Sequence, residues 1–424
     1  MPNNECRTPL DPAGARLRHS AMIFRARAIV TMDGPPIGHG AVAIEGNRIT
    51  AVGLSAELGG PATDLGDVAL MPGLINAHCH LDYTMMRGAI LRPGSFTAWV
   101  QRINALKRSL DNDDYLAAIA LGFAELRKWG TTGVCNIEAF PELMPQLGPP
   151  PIRTWSFYEM IDIRHRITSD DVVAGALSFF SQRDHPLALF GLSPHAPYTA
   201  SIELYQLANA CADSLAMPLT THVAESREEL EMFREARGPL YDFMASIQRP
   251  MTDCGYHAPF AQLWQQGAID SRWLLAHMNE LTEEDFAILA SLPRGGGPAI
   301  VHCPGSHRYF GHTPFPFRRL DALGLNLCIG TDSLASTGSL SLLEELRLLR
   351  KTEPWITPEH ALRTVTVNPA RALRRQRQLG QIVPGALADL IAIPMSGSLA
   401  NLHEEIVEHP HPVSWVMIDG QVRS

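Results

Sequence analysis

The chain has 424 residues, 46% of them hydrophobic, and its 35 Lys and Arg against 44 Asp and Glu leave a formal net charge of -9. That length suffices for a sizeable core, and an acidic balance without a long Lys or Arg run excludes a nucleic-acid surface. The seven cysteines are odd in number and scattered with no Cys-x-x-Cys pair, which excludes a disulfide scaffold and points to reduced thiols in a cytoplasm.

Residues 1–19 read as a flexible polar tail with Pro2, Pro9 and Pro12 and no apolar stretch, so neither a secretory leader nor a membrane span is expected there. Short β-like runs follow at Ala21–Phe24, Ala28–Met32, Ala41–Ile44 and Ile49–Val52, punctuated by Asp33-Gly34-Pro35-Pro36 and Glu45-Gly46-Asn47. Matching runs close the chain at Leu390–Ile393, Val413–Ile418 and Gln421-Val422. Both ends are therefore expected to form one small composite β-sandwich domain, residues 20–69 plus 375–424. Between them, over 70–374, the pattern becomes strand then helix, repeated.

Strands are predicted at Leu70–His78, Thr131–Ile137, Arg153–Met160, Leu187–His195, Met217–Glu225, Arg272–Met278, Pro298–Cys303 and Asn326–Asp332. Helices are predicted between them, for example Asp113–Trp129, Ile202–Ser214, Arg227–Arg237 and Thr282–Leu292. Eight such units predict an α/β fold, a (β/α)8 TIM-like barrel whose chemistry sits at the C-terminal strand ends.

The organising stretch is Leu70–His80. Side chains alternate along a strand, so His78 and His80 share a face while Cys79 points away. Two imidazoles aimed at one spot make half of a metal site. Further ionisable residues fall at other predicted strand ends: His195, His222 with Glu225, His277, His302 and Asp332. Buried ionisable groups are costly unless paired or coordinated, so this recurrence argues for a site. Plainer readings stand beside it. Glu225 suits the start of the following helix, Asp332 suits a helix cap, His195 suits the Pro194–Pro197 turn, and His302 suits either a supporting or a core role.

Pro72–His80, Ser193-Pro194-His195-Ala196-Pro197-Tyr198, His222-Val223-Ala224-Glu225, His277 and Gly330-Thr331-Asp332-Ser333 together resemble the amidohydrolase superfamily. The likeness is greatest to its aminohydrolase branch of guanine and S-adenosylhomocysteine deaminases and s-triazine hydrolases. It runs from about residue 20 to the end. The resemblance implies that His78, His80, His222 and Asp332 bind one divalent metal, Zn2+ or alternatively Fe2+, that activates water. Binuclear relatives need a strand-four lysine, and no lysine lies between Lys128 and Lys351. It further implies Glu225 as proton carrier, His277 orienting the attacking oxygen, and Asp332 passing a proton to departing ammonia.

His195, Trp99 and Arg164 are the candidate substrate contacts, with Tyr83, Arg87 and His165 on the same face; Arg87 or Arg164 would suit a substrate carboxylate. The segment Cys303–His312 departs from the branch and bars borrowing a guanine or S-adenosylhomocysteine assignment. The expectation is hydrolytic deamination of an amino-substituted N-heterocycle, purine, adenosine-like nucleoside (aminodeoxyfutalosine among them) or pyrimidine, by a homo-oligomer acting on a small molecule. Displacement of chloride or an alkylamine from a triazine, cyclic amide hydrolysis, and a catalytically dead scaffold are the rivals.

Overall fold

The computed structural model describes residues 22–92, 94–163, 167–181 and 185–423; the expected tail, Arg164 and His165 lie outside them. Among the described residues no helix is long and apolar enough to cross a membrane.

Two sheets organise the chain. The first draws strands from both ends of the sequence. Met22–Ile29 pairs antiparallel with Ile37–Glu45, which pairs with Arg48–Leu54; on its other side it meets Val68–Pro72, then Leu390–Pro394, Trp415–Ile418 and Gln421–Val422. Two runs expected as separate, Ala21–Phe24 and Ala28–Met32, join into the single strand Met22–Ile29, because its continuous pairing with Ile37–Ile44 leaves no turn between them.

The second sheet is parallel and holds the barrel strands Leu74–His80, Thr131–Glu138, Arg153–Met160, Ala188–Pro194, Leu219–Val223, Trp273–His277, Ala299–His302 and Asn326–Ile329. Strand eight resumes at Asp332-Ser333, where Asp332 pairs with Cys79 and Ser333 with His80, so the last strand returns to the first and closes the ring. Ile75, Ala77, Cys135, Trp155, Phe157 and Val301 fill its interior.

Strand one begins four residues later than predicted. Leu70 and Met71 belong to the other sheet, and the chain crosses between sheets at Gly73, whose N–H donates to Asp389 O at 2.9 Å. A Cβ at Gly73 would lie 2.1 Å from Thr132, so only glycine passes there.

The helices carry their own start signals. Asp111 and Asp114 form a reciprocal capping box for Asn112–Lys128, Thr282 and Asp285 another for Glu283–Ser291, and Ser201 caps Ile202–Leu215. Strand two is the exception to the eight-unit expectation. It is followed by a single 3-10 stretch, Pro141–Gln146, because Pro145 within it and Pro149-Pro150-Pro151 beyond it deny the amide donors a longer helix needs.

Candidate metal centre and active site

Strand one aims its histidines through a defect. Ile75 and Ala77 face the barrel interior, so strict alternation would send His78 and His80 outward. The ladder to strand two pairs Asn76 with Val134 but Cys79 with Asn136, spending three steps against two. This bulge reverses the phase, turns both imidazoles inward and puts Cys79 in the outer core.

The histidines then meet partners from across the ring. His80 Nε2 lies 3.2 Å from His222 Nε2, and Asp332 Oδ1 lies 3.8 Å from His78 Nε2 and 3.7 Å from His80 Nε2. Two triads of close donor atoms result, His78–His80–Asp332 and His78–His222–His277, sharing His78. All are buried.

Surrounding bonds select which atom each residue presents. The His195 carbonyl holds His222 Nδ1 at 2.8 Å, leaving Nε2 for the centre. Asp332 Oδ2 accepts from Ser306 Oγ at 2.6 Å and Ser336 Oγ at 3.0 Å, which leaves Oδ1 facing the imidazoles. Both ring nitrogens of His78 and Nδ1 of His80 have no hydrogen-bond partner. Burial, then neighbouring imidazoles, lowers His78 and His222 to about 3 and holds His80 and His277 well below the ordinary histidine range. The imidazoles are therefore neutral, with lone pairs converging beside a carboxylate and too few donors to satisfy them. That donor set fits a divalent cation.

Glu225 lies beyond strand five, with Oε1 3.7 Å from His277 Nε2. The capping role open to it in the sequence belongs to others. Ser226 Oγ accepts from Glu229 N at 3.1 Å at the head of Arg227–Glu235, and the Glu229 carboxylate accepts from Ala224 N at 3.2 Å and Glu225 N at 2.7 Å. Burial first, then the Asp332 and Glu229 charges, pushes the Glu225 carboxyl well above its usual range, which strengthens it as an acceptor of a proton. Asp332 is not a helix cap either, since Ser341 caps Leu342–Thr352. Ala224 (φ 51°), His277 (φ 75°), Met278 (φ 52°) and Asp332 (φ 59°) all adopt the left-handed backbone, strain concentrated where these side chains are placed.

Of the candidate substrate contacts, His195 is near the centre, its ring 4.9 Å from that of His222, with Nδ1 bound to Thr199 Oγ1 at 2.6 Å. Trp99 sits on the helix Phe96–Lys107 and packs edge-on against Phe310 at 5.2 Å. Arg87 is tied to Glu125 and the Gly338 carbonyl, so it is not free for a substrate carboxylate. The departing segment forms the short helix Pro304–Phe310, which delivers Ser306 to Asp332 and Phe310 to Trp99. His302 stacks on Phe315 at 3.9 Å, a packing role.

Sequence reasoning missed three carboxylates: buried Asp82, two residues past His80, buried Glu138 at the end of strand two, and half-buried Glu159 near the end of strand three. The rule that found His222 and Asp332, a charged residue at a strand end, would have found the glutamates had it been applied to those strands.

The amidohydrolase family profile matches residues 69–423. A 5-methylthioadenosine/S-adenosylhomocysteine deaminase of Pyrococcus furiosus is 30% identical over 390 residues, covering 88% of this chain and 86% of that protein. An aminodeoxyfutalosine deaminase of Deinococcus radiodurans is 29% identical over 349 residues, covering 79% and 81%. The crystal structure of an adenosine deaminase from Xanthomonas campestris with bound zinc superposes with a TM-score of 0.80 at 26% identity, over 95% of this chain and 92% of that one. The closed barrel with its inward histidines and the match across nearly all of it say the same thing: this chain belongs to the amidohydrolase family and is a hydrolase of carbon–nitrogen bonds other than peptide bonds.

Proposed function

We propose that the protein hydrolytically deaminates an aminopurine nucleoside, with His78, His80, His222 and Asp332 holding one Zn2+. Three neutral imidazoles and one carboxylate suit that ion, and the relatives named as adenosine-type deaminases support the substrate class. When bound, the ion supplies an activated water at neutral pH. Glu225 takes a proton from the attacking water and delivers it to the ring nitrogen beside the amine-bearing carbon. His277, 3.7 Å from Glu225, orients the attacking oxygen, and Asp332 passes the second proton to the departing ammonia. His195 contacts the substrate ring from the end of strand four and Trp99 from the helix Phe96–Lys107 that follows strand one; Arg164 is the third proposed contact.

The observation that carries this reading is Glu225, a buried protonatable carboxyl set against the imidazole cluster. A panel of aminopurines and their nucleosides assayed for ammonia release, with metal content measured on the same samples, tests it. Glu225→Gln should lower kcat by about 10²–10⁴-fold while retaining metal. Undiminished turnover in that variant removes Glu225 from the chemistry.

A further inference from the structure

The helix Phe96–Lys107, which carries Trp99, is held at its first turn from outside. It has no acidic residue of its own there, and its cap Ser95 accepts through Oγ from Ala98 N at 3.0 Å. The two amides before Ala98 donate to one carboxylate from another part of the chain: Phe96 N to Glu228 Oε1 and Thr97 N to Glu228 Oε2, each at 2.9 Å, with Thr97 Oγ1 also donating to Oε2. A carboxylate so placed satisfies donors the helix cannot, and its charge opposes the positive end of the helix dipole. Apolar packing does little for this end. Of the twelve helical residues Phe96, Thr97 and Ile103 are buried, and a cavity of about 310 Å3 lined by Ser95, Phe96, Ser226, Glu228, Glu280 and Phe310 opens at the junction. Glu228 itself stands on a fixed turn: Glu229 holds the Ala224 and Glu225 amides, and Asn279 Nδ2 donates to the Glu225 carbonyl at 2.9 Å. Neighbouring carboxylates thus reach two ways, Glu229 back to the Glu225 backbone and Glu228 across to the helix bearing Trp99.

We propose that Glu228 is a positioning residue: it fastens the first turn of Phe96–Lys107 to the turn bearing Glu225, so that Trp99 meets the substrate at a set distance from the proton carrier. This rests on the reading of Trp99 as a substrate contact and of Glu225 as proton carrier. Phe96 and Trp99 are three residues apart, so the fastened amides and the indole share one end of the helix. The far end is pinned separately, by Lys107 Nζ donating to Tyr83 OH at 2.7 Å and Tyr115 OH donating to the Lys107 carbonyl at 3.0 Å. Loss of the Glu228 carboxylate therefore releases the Trp99 end of a helix that stays attached. Displacing a substrate-positioning group by about 1 Å costs on the order of 10²-fold, and here the cost falls on substrate binding because the Glu225 turn keeps its own bonds to Glu229 and Asn279.

The test compares the metal-loaded full chain with Glu228→Ala, Glu228→Gln, Trp99→Ala and the double variant Glu228→Ala with Trp99→Ala. Amide hydrogen exchange over 96–107 should quicken by about tenfold in Glu228→Ala, with the remaining barrel amides unchanged. KM for adenosine should rise by about 10–100-fold in Glu228→Ala and by less in Glu228→Gln, which keeps one accepting oxygen; kcat, its pH profile and metal content should stay at their wild-type values. In the Trp99→Ala background the Glu228 substitution should add nothing further to KM, a coupling that a general loss of stability would not produce. Unchanged exchange over 96–107 in Glu228→Ala overturns the fastening. Additive KM effects, or a fall in kcat together with lost metal, overturn the positioning role. If Trp99→Ala leaves KM at its wild-type value, the contact reading of Trp99 fails, and if no aminopurine releases ammonia, the deaminase reading fails; in both cases the exchange measurement still decides whether Glu228 holds the helix.

Discussion

Gly330 offers a test of how the last barrel strand sets the geometry of the site. It lies where strand eight crosses onto strand one, and a Cβ built there falls 2.7 Å from the His78 carbonyl oxygen and 2.8 Å from both the His78 nitrogen and Cβ. Ordinary contact begins at 3.4 Å, and two of the three atoms are backbone, which no rotamer change can move aside. Gly330→Ala must therefore part the strands by about 0.6 Å. The displacement falls directly on His78 and Asp332, whose facing atoms are 3.8 Å apart, whereas ligand distances in a metal site hold to within about 0.2 Å. We expect metal affinity to drop by about 10–100-fold, with a global cost of about 1–3 kcal/mol from overpacking. Competitive chelator titration measures the first and urea unfolding of the metal-stripped protein the second. Wild-type affinity in Gly330→Ala refutes the argument that the close approach of strands one and eight positions these ligands.

The two sheets are joined at the opposite end of the barrel by Arg153, whose Nε and Nη2 reach Asp389 at 2.8 and 3.2 Å and whose Nη2 also meets Asp419 at 3.1 Å. Asp389→Ala should cost about 3–5 kcal/mol in urea unfolding, and Arg153→Met with Asp389→Leu less than the sum of the single changes; additive costs would show that the pair is not coupled. Glu345 supports the loop after strand seven through the Gly305 N–H at 2.6 Å, and burial pushes its carboxyl up to about 8. Since the folded state holds this proton more tightly than the unfolded state, the stability it contributes is complete below its ordinary value of 4.5 and is lost as pH rises through about 8. Glu345→Gln should flatten the decline in unfolding free energy between pH 5 and 9 by a few kcal/mol, at about 1.4 kcal/mol per pKa unit, as read by urea unfolding at each pH. Parallel pH curves for wild type and variant would count against this.

The barrel and the residues at its centre were legible because each strand carries its own signal: an apolar run, then a His, Glu or Asp where it ends. The bulge between Asn76 and Cys79 was not, since a two-against-three register belongs to a pair of strands and neither alone reveals it. The expected shared face of His78 and His80 is realised, yet strict alternation from Ile75 would have turned it outward. The handover at Gly73 was legible only in part: Met71-Pro72-Gly73 reads as a turn, but with apolar Leu70 on one side and Leu74-Ile75 on the other nothing in the sequence says that two different sheets divide the stretch there. Asp82 escaped notice because a carboxylate in a turn reads as solvated until the structure shows it enclosed.

The first sheet has a consequence for how the protein is made. Val68–Pro72 lies between Met22–Ile29 and Leu390–Pro394, so one of its two neighbours leaves the ribosome some three hundred residues after it does. At about 5–20 residues per second that delay is on the order of tens of seconds. Throughout it the nascent hairpin Met22–Glu45 and the strand beside it expose an unpaired edge, the feature most prone to pairing with a neighbouring chain, so yield during synthesis should depend on what shields that edge.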